Sequence, residues 1–283
     1  MPGAYGAPRD YLPAPPNEQD RFGLFSVASF PDPGPVRWLH GIEWEPTRGV
    51  RAQGRVADCV DHDYNEQLTL TSGEPLARAL PFIVAAEYRC KATSRPVADA
   101  EQRALDHLAL GEQRAVERAV ATGELGNEPS LSDATDITPV PGTAIPLKLA
   151  VGLLEEALST NTGQVGVIHA QRRYAAHIAS LYLVASGRAR GETMETKLGN
   201  LWSFGGGYTG VVPEGASAPG TDELWLAATP RPLILRSEPW TQPDEDKYVR
   251  RSDNELAILA QRHYLVSWPY GTYAVLTSLN GAD

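Results

Sequence analysis

The longest uninterrupted helical pattern of apolar and polar residues runs between Pro96 and Gly123. Its apolar positions recur at steps of three and four residues, as they do on one face of an α-helix, and they are Leu105, Leu108, Ala115, Val116, Ala119 and Val120. We therefore predict a helix over residues 97–122, which would span about 37 Å at roughly 1.5 Å per residue. Because the apolar stripe is thin, we expect the helix to lie on one sheet and to leave its charged side to solvent or to neighbours.

The chain before this helix is rich in proline and shows only short extended patterns. Residues 1–35 contain eight prolines, together with the aromatic residues Tyr5, Tyr11, Phe22, Phe25 and Phe30. Solvated linkers rarely carry aromatic side chains, so we expect an arm that lies on another surface. Residues 36–71 predict a strand, a turn and a second strand in an extended hairpin. Residues 80–90 predict a buried strand that leads into the helix.

The chain after Gly123, a residue that favours a helix end, alternates helices with apolar strands. The patterns predict helices over residues 145–160 and 171–184, with a buried strand over residues 163–170 between them. They then predict a strand in LGNLWSF, a glycine turn at residues 205–207, paired strands in ELWLAAT and RPLILRSE, and two terminal strands joined around residues 269–271. The predicted fold class is α+β.

Composition narrows the class of protein. The 283 residues carry a net charge of −10, which argues against a general nucleic-acid-binding surface because phosphate contacts need clustered Lys and Arg. The charge still allows a protein that encloses DNA without gripping it. No apolar run reaches the roughly 18 residues of a membrane span, and the start of the chain lacks the features of a signal peptide. We expect a soluble product made in the cytoplasm, with no membrane contact.

One cluster contains residue types that bind metals, namely Cys59, Asp61, His62 and Asp63. Adjacent residues of a strand point to opposite faces, so these side chains cannot converge without a special loop. The chain has only two cysteines and no second Cys/His cluster that would complete a metal shell. We expect a solvated turn here and no metal site.

A second candidate for chemistry is the pair His169 and His177, on a predicted strand and on the helix after it. A nucleophile would need a serine or cysteine elbow, and the chain has no G-x-S-x-G sequence. The glycine-rich GNLWSFGGGY follows a strand without opening a helix, so it is a poor phosphate-binding loop. We expect structural histidines and a tight turn, with no catalytic residues, no cofactor and no enzymatic activity.

The order of the predicted elements resembles that of the major capsid proteins of tailed bacteriophages, whose Hong Kong 97-type fold is shared with encapsulin shells. LLEEALSTNTGQVGVIHAQRRYAAHIAS resembles the helix, strand and helix of the axial (A) domain in this family. ETKLGNLWSFGGGY and ELWLAATPRPLILRSEPW resemble its later strands, and LAILAQRHYLVSWPYGTYAVLTSL resembles the closing strands of the peripheral (P) domain. The resemblance is to head proteins of actinobacterial phages in particular, and it covers residues 38–279.

The resemblance implies a set of domains: an N-terminal arm (1–35), an extended loop or E-loop (36–75), a P-domain (76–140) with the spine helix (97–122), an A-domain (141–238) and P-domain return strands (239–283). It implies a subunit of the virion that assembles with itself, as pentamers and hexamers, into an icosahedral head shell. The shell would enclose double-stranded DNA without sequence-specific binding. Portal, scaffolding and cement proteins are further partners that the resemblance allows.

The arm and the loop are expected to lie across neighbouring subunits. The inter-subunit contacts expected there are Phe25, Trp38, Trp44, Arg48, Arg51 and Arg55. Some capsids of this family join subunits covalently, through a loop lysine and an asparagine of a neighbour. Residues 36–72 contain no lysine, so we expect shell stability without such crosslinks.

Three other functions remain open on the sequence alone. An encapsulin-type nanocompartment would use the same fold to enclose a cargo enzyme. A soluble α/β enzyme, with a site at His169, His177 or residues 61–63, would be a monomer or a small oligomer. A minor head or head–tail connector protein would form rings and not closed shells. Particle size and closure distinguish the enzyme and the connector from a capsid, whereas neighbouring genes for terminase and portal, rather than for a cargo enzyme, distinguish a capsid from an encapsulin.

Overall fold

A computed structural model describes residues 20–34, 36–46, 76–91, 97–185, 193–242, 249–250 and 255–279. The α-helices are α1 (Leu24–Val27), α2 (Val97–Thr122), α3 (Leu147–Thr162) and α4 (Ala175–Ser180). Short 3-10 helices cover Val36–His40, Leu131–Asp133 and Arg172–Tyr174. The strands are β1 (Ile42–Trp44), β2 (Ala77–Ala79), β3 (Phe82–Lys91), β4 (Thr135–Asp136), β5 (Ile145–Pro146), β6 (Gly166–Gln171), β7 (Met194–Glu195), β8 (Leu201–Gly205), β9 (Glu223–Pro230), β10 (Leu233–Arg236), β11 (Trp240–Thr241), β12 (Val249–Arg250), β13 (Glu255–Ser267) and β14 (Tyr273–Ser278).

The first sheet is built on the long strand β13. One edge of β13 forms ten antiparallel pairs with β3, from Phe82 opposite Tyr264 to Lys91 opposite Glu255. The other edge pairs in turn with β10, β11 and β12. Along β3, residues with little exposure alternate with more exposed ones, as expected for a strand with one face towards a core.

The second sheet has the strand order β4-β14-β9-β6-β8-β7, and β5 also pairs with β14. Its centre is buried on both faces, because five of the six residues of β6 are buried. The parallel pair β6–β8 and the antiparallel pairs β6–β9 and β9–β14 make this a mixed sheet. Helix α3 packs on it and, with β6, β8 and β14, forms a separate apolar cluster.

Helix α2, which we call the spine helix, confirms the predicted limits of residues 97–122. It ends at Gly123, whose N–H donates to the carbonyl oxygen of Ala119 at a left-handed φ of +67°. It packs on β3 and β13, the arrangement expected from its one-sided pattern. Its buried residues include a row spaced by four: Ala100, Ala104, Leu108, Glu112, Val116 and Val120. The apolar stripe looked thin in the sequence because a glutamate occupies one position of this row.

The two runs ELWLAAT and RPLILRSE do not pair with one another, contrary to the prediction. Strand β9 pairs with β6 and β14 in the second sheet, whereas β10 pairs with β13 in the first. Strand β9 ends at Pro230, and Arg231 and Pro232 connect it to β10. Proline has no N–H to donate and a fixed φ, so the chain leaves one sheet here and enters the other.

The terminal strands are joined around residues 269–271 as predicted, but they too lie in different sheets. Strand β13 is the centre of the first sheet, and β14 pairs with β9 in the second. The structure therefore divides residues 233–278 between the sheets differently from the division expected at residue 238. The predicted helix over residues 171–184 is also shorter, since only Ala175–Ser180 is α-helical after a 3-10 turn.

The buried row on the spine helix predicts different costs for two leucines of the same helix. Replacing Leu108, which is 2% exposed, by alanine leaves a cavity and should lower the free energy of unfolding by about 2–5 kcal/mol. Leu110→Ala is the matched control, because Leu110 is 45% exposed and its loss should cost no more than about 0.5 kcal/mol. Denaturant unfolding followed by circular dichroism measures both, and equal losses would contradict this packing.

Candidate functional site

The structure uses the predicted contact residue Phe25 inside its own subunit. The Phe25 ring stacks on Tyr264, with 6.1 Å between ring centroids, and meets the edge of Phe30 at 5.3 Å. The side chain is partly buried against the core around the spine helix. Much of its apolar area is therefore covered before any neighbour binds.

The two tryptophans expected at subunit contacts are also packed in their own subunit. Trp38 is 5% exposed and lies in a small apolar cluster with Ala79 and Leu265. Trp44 donates from Nε1 to the carbonyl oxygen of Pro269 at 3.0 Å and lines an apolar groove of 410 Å³. Arg48, Arg51 and Arg55 lie outside the described residues. The inter-subunit role of all these side chains stays a prediction.

The described part of the arm, residues 20–34, is anchored on the subunit's own sheets. The carbonyl oxygen of Phe22 accepts from Phe204 N–H of β8 at 2.6 Å, and the carbonyl oxygen of Ser29 accepts from Ile234 N–H of β10 at 2.8 Å. Leu24 and Val27 are fully buried. This differs from the expectation that residues 1–35 lie across neighbours, because these residues supply part of the core.

The spine helix buries a glutamate, Glu112, that the sequence assigned to its charged side. Glu112 is 3% exposed and accepts hydrogen bonds from the Tyr264 hydroxyl at 2.6 Å and from Arg262 Nη1 at 2.8 Å. Arg236 lies 3.8 Å away. Burial and the Glu112 carboxylate raise the pKa of Tyr264 above its ordinary value. The Glu112 carboxylate is thus paired with Arg262 and Tyr264 of β13, the strand on which the helix lies.

A second buried glutamate of the spine helix, Glu117, joins segments that are distant in sequence. It is 1% exposed. Its Oε1 accepts from Leu24 N–H at 3.0 Å, and its Oε2 accepts from Gly207 N–H at 2.9 Å. Burial raises the pKa of Glu117 above its ordinary value, against the two hydrogen bonds, which lower it. One carboxylate therefore holds the arm, the spine helix and the turn after β8 together.

Three glycines make room for this carboxylate. A Cβ on Gly23 would collide with Glu117 Oε1, and one on Gly205 would lie 2.7 Å from Glu117 Cδ. A Cβ on Gly207 would lie 2.8 Å from the backbone nitrogen of Arg118. The glycine turn that the sequence showed thus exists for close approach to the helix, and no phosphate is needed to explain it.

The neutral histidine His169 is the centre of a buried hydrogen-bond network. Its Nδ1 lies 2.9 Å from the Tyr208 hydroxyl and its Nε2 lies 2.9 Å from Thr229 Oγ1, while Ser203 Oγ lies 2.8 Å from the same tyrosine oxygen. Hydroxyls can donate or accept, so they satisfy both nitrogens of a neutral ring. Burial lowers the pKa of His169 to about 3 and raises that of Tyr208.

The fold does not bring His169 and His177 together in one hydrogen-bonded pair. Both ring nitrogens of His169 are taken by hydroxyls, and His177 Nε2 is buried with no hydrogen-bond partner in the structure. Within the described ranges, no three His, Cys, Asp or Glu side chains are grouped to hold a metal. Cys59 and residues 61–63 lie outside those ranges. In the same part of the chain, no helix is long and apolar enough to cross a membrane.

Solved structures match this arrangement over almost the whole chain. The capsid of an empty GTA particle, computed with C5 symmetry, matches at 14% identity and a TM-score of 0.59 over 98% of both chains. The capsid of a native GTA particle matches at 12% identity and 0.60, over 98% of this chain and 96% of that one. A structure from Mycobacterium phage Ogopogo matches at 15% identity and 0.52, over 96% and 97%. No family model and no curated protein sequence matches.

The chain has the Hong Kong 97-type capsid fold. The predicted α+β class and the resemblance to the capsid family are both confirmed at the level of fold. In this capsid fold the spine helix carries the two buried glutamates, and Glu117 lies where the arm, the spine helix and the turn after β8 meet.

The close packing of glycines around Glu117 predicts different outcomes for alanine substitutions at Gly206 and Gly207. Gly207→Ala places a methyl group against the backbone of the spine helix and should lower the free energy of unfolding by about 1–3 kcal/mol, the usual cost of overpacking. Gly206→Ala is the control, because a Cβ there meets no atom within 4 Å. Thermal unfolding of both variants tests this prediction, which fails if Gly206→Ala is the more damaging substitution.

The depressed pKa of His169 predicts a loss of stability in acid. Below pH 6.5 the unfolded chain takes up a proton at this residue, and the folded protein does so only near pH 3. The contribution of neutral His169 to the free energy of unfolding is therefore fully present above about pH 6.5. As the pH falls below 6.5, this contribution decreases by up to about 1.36 kcal/mol per pH unit, or about 2–3 kcal/mol by pH 4.5.

The comparison that isolates this effect is with His169→Gln, which keeps polar groups but cannot titrate. The wild-type protein should lose more unfolding free energy between pH 6.5 and 4.5 than this variant, whatever the variant's stability at neutral pH. His107→Gln, at an exposed position of the spine helix, should keep the wild-type slope. Parallel pH profiles for wild type and His169→Gln would show that the buried ring does not titrate as proposed.

Proposed function

We propose that this chain is the major capsid protein of a tailed bacteriophage, which self-assembles into an icosahedral head shell around double-stranded DNA. The observation that carries the proposal is the match to GTA capsid subunits from end to end, with 98% of both chains covered for the empty particle. The match leaves only about 2% of this chain outside the fold of those capsid subunits.

The charge of the protein supports this role. A net charge of −10 disfavours tight binding to DNA phosphates, so the shell would enclose a genome without sequence-specific contacts. The protein would be made in the host cytoplasm and reside in the virion. Portal, scaffolding and cement proteins would be its partners at particular positions or stages, in addition to copies of itself.

We assign the parts of the subunit as follows. Residues 1–35 are the arm and 36–75 the E-loop. The spine helix with the first sheet forms the P-domain, which combines residues 76–140, apart from the β4 strand of the second sheet, and residues 239–267 with the β10 strand. The second sheet with α3 and α4 forms the A-domain, which combines most of residues 141–230 with the β14 strand. Heterologous contacts between A-domains that close by rotation would produce the rings of five and six subunits.

Exposed apolar side chains on the A-domain are suited to such contacts. Tyr182 is 78% exposed and has a φ of +60°, a conformation that costs a bulky residue about 1–2 kcal/mol. Other large apolar side chains exposed on the same domain are Leu149, Val165 and Leu198. Burying each on a neighbour would contribute about 1.5–3 kcal/mol, repeated at every copy of the contact.

The proposal predicts closed particles of megadalton mass from the purified protein, visible by negative-stain electron microscopy and separated by analytical ultracentrifugation. Tyr182→Ser should reduce the fraction assembled without lowering the stability of the subunit, because the ring is exposed there. Leu125→Ser, at an exposed leucine after the spine helix, is the control. A monomer or small oligomer under assembly conditions would contradict the proposal and favour the soluble enzyme, and rings alone would favour a connector.

A further inference from the structure

We infer that Glu117 is a latch for the arm: residues 21–24 can leave the spine helix only by opening this buried carboxylate to water. The inference concerns a conformational step of the subunit itself and goes beyond the proposed shell function. It rests on hydrogen bonds and close packing within one chain, so it can be tested whether or not the protein forms a shell.

The hydrogen bonds define what the latch holds. Glu117 Oε1 accepts from Leu24 N–H at 3.0 Å, and the second oxygen accepts from Gly207 N–H at 2.9 Å. The same arm segment is bound beside the latch, where Arg172 Nη1 donates to the carbonyl oxygen of Arg21 at 2.8 Å. Displacing residues 21–24 therefore removes one of the two hydrogen bonds of the carboxylate and the close packing of Gly23 against it.

Close packing explains why water does not share the site while the arm is in place. A methyl group on Gly23 would collide with Glu117 Oε1 and with the Gln113 amide nitrogen, and one on Gly205 would lie 2.7 Å from Glu117 Cδ. A space too small for a methyl group is too small for a water molecule. The carboxylate is thus dry when the arm is closed and hydrated when the arm is open.

The charged and titratable groups around the latch come from several elements. From the arm, Asp20 raises the pKa of Glu117, and from the turn after β6, Arg172 lowers it. These two side chains are themselves 3.7 Å apart. The Tyr208 hydroxyl and, behind it, the ring of His169 are uncharged at neutral pH. Burial is the largest cause of the shift and raises the pKa of Glu117.

The sign of the pH effect follows from the two states of the latch. In the open arm Glu117 is hydrated and has its ordinary pKa of 4.5, whereas in the closed arm its pKa is higher. Between these values the closed state holds the proton more tightly, so raising the pH favours the open state. Opening should increase by up to tenfold per pH unit in this window and level off above it. His169 has the opposite sign, because its pKa is lowered in the folded state.

Hydrogen exchange measured by mass spectrometry tests the latch on the purified full-length protein. Exchange of a peptide covering residues 20–27, divided by the intrinsic chemical rate at each pH from 4.5 to 8, should increase as the pH rises from 4.5 in the wild type and then level off. In Glu117→Gln it should be faster at pH 5 and independent of pH. Glu124→Gln, which changes an exposed glutamate just beyond the spine helix, should keep the wild-type profile.

Three results would overturn the inference. One is a wild-type exchange of residues 20–27 that stays flat or falls as the pH rises from 4.5, a result that needs no variant. Another is a Glu117→Gln variant that keeps the wild-type dependence on pH. Exchange of residues 20–27 at the same rate as the centre of the spine helix, residues 104–112, would also contradict a local opening.

Discussion

The burial of the spine helix depends on hydrogen bonds to two carboxylates. Glu112 and Glu117 lie on the face that packs into the core, and a carboxylate is costly to bury unless its oxygens accept hydrogen bonds. The donors come from β13, from the arm and from the turn after β8. The two carboxylates are fully hydrogen-bonded only when all three segments are in place, so the polar residues of the helix fix the arrangement that its apolar residues make favourable.

Local patterns predicted the elements well, and pairing between distant strands was where they failed. The spine helix agreed at both ends because its periodicity and its stop at Gly123 are properties of neighbouring residues. The division of β9, β10, β13 and β14 between two sheets depends on partners far away in the chain. An apolar strand fits either sheet equally well, and only the prolines at 230 and 232 gave a local sign that the chain changes sheet.

The candidate site was hidden from the sequence for a related reason. A glutamate on a helix is ordinarily solvated, so hydrophobic periodicity assigned Glu112 and Glu117 to the charged side. For Glu112 the spacing was the available signal, since this residue continues the four-residue row of Ala104, Leu108 and Val116. The glycine-rich turn was visible, but its reason is the closeness of the helix backbone at Gly207. The hydroxyl partners of His169 could not be named from the sequence, because Tyr208 and Thr229 lie far from it along the chain.

After β9 the chain passes between the two sheets twice, at residues 231–232 and again at residues 268–272. Arg231 and Pro232 connect β9 to β10, and five residues connect β13 to β14. Two short connections between the same pair of sheets limit how far one sheet can slide past the other. Residues of both sheets also share one apolar core, in which Ile258 and Val266 of β13 are grouped with Ala227 of β9 and Leu276 of β14. The two sheets are therefore joined both by the backbone and by a common core.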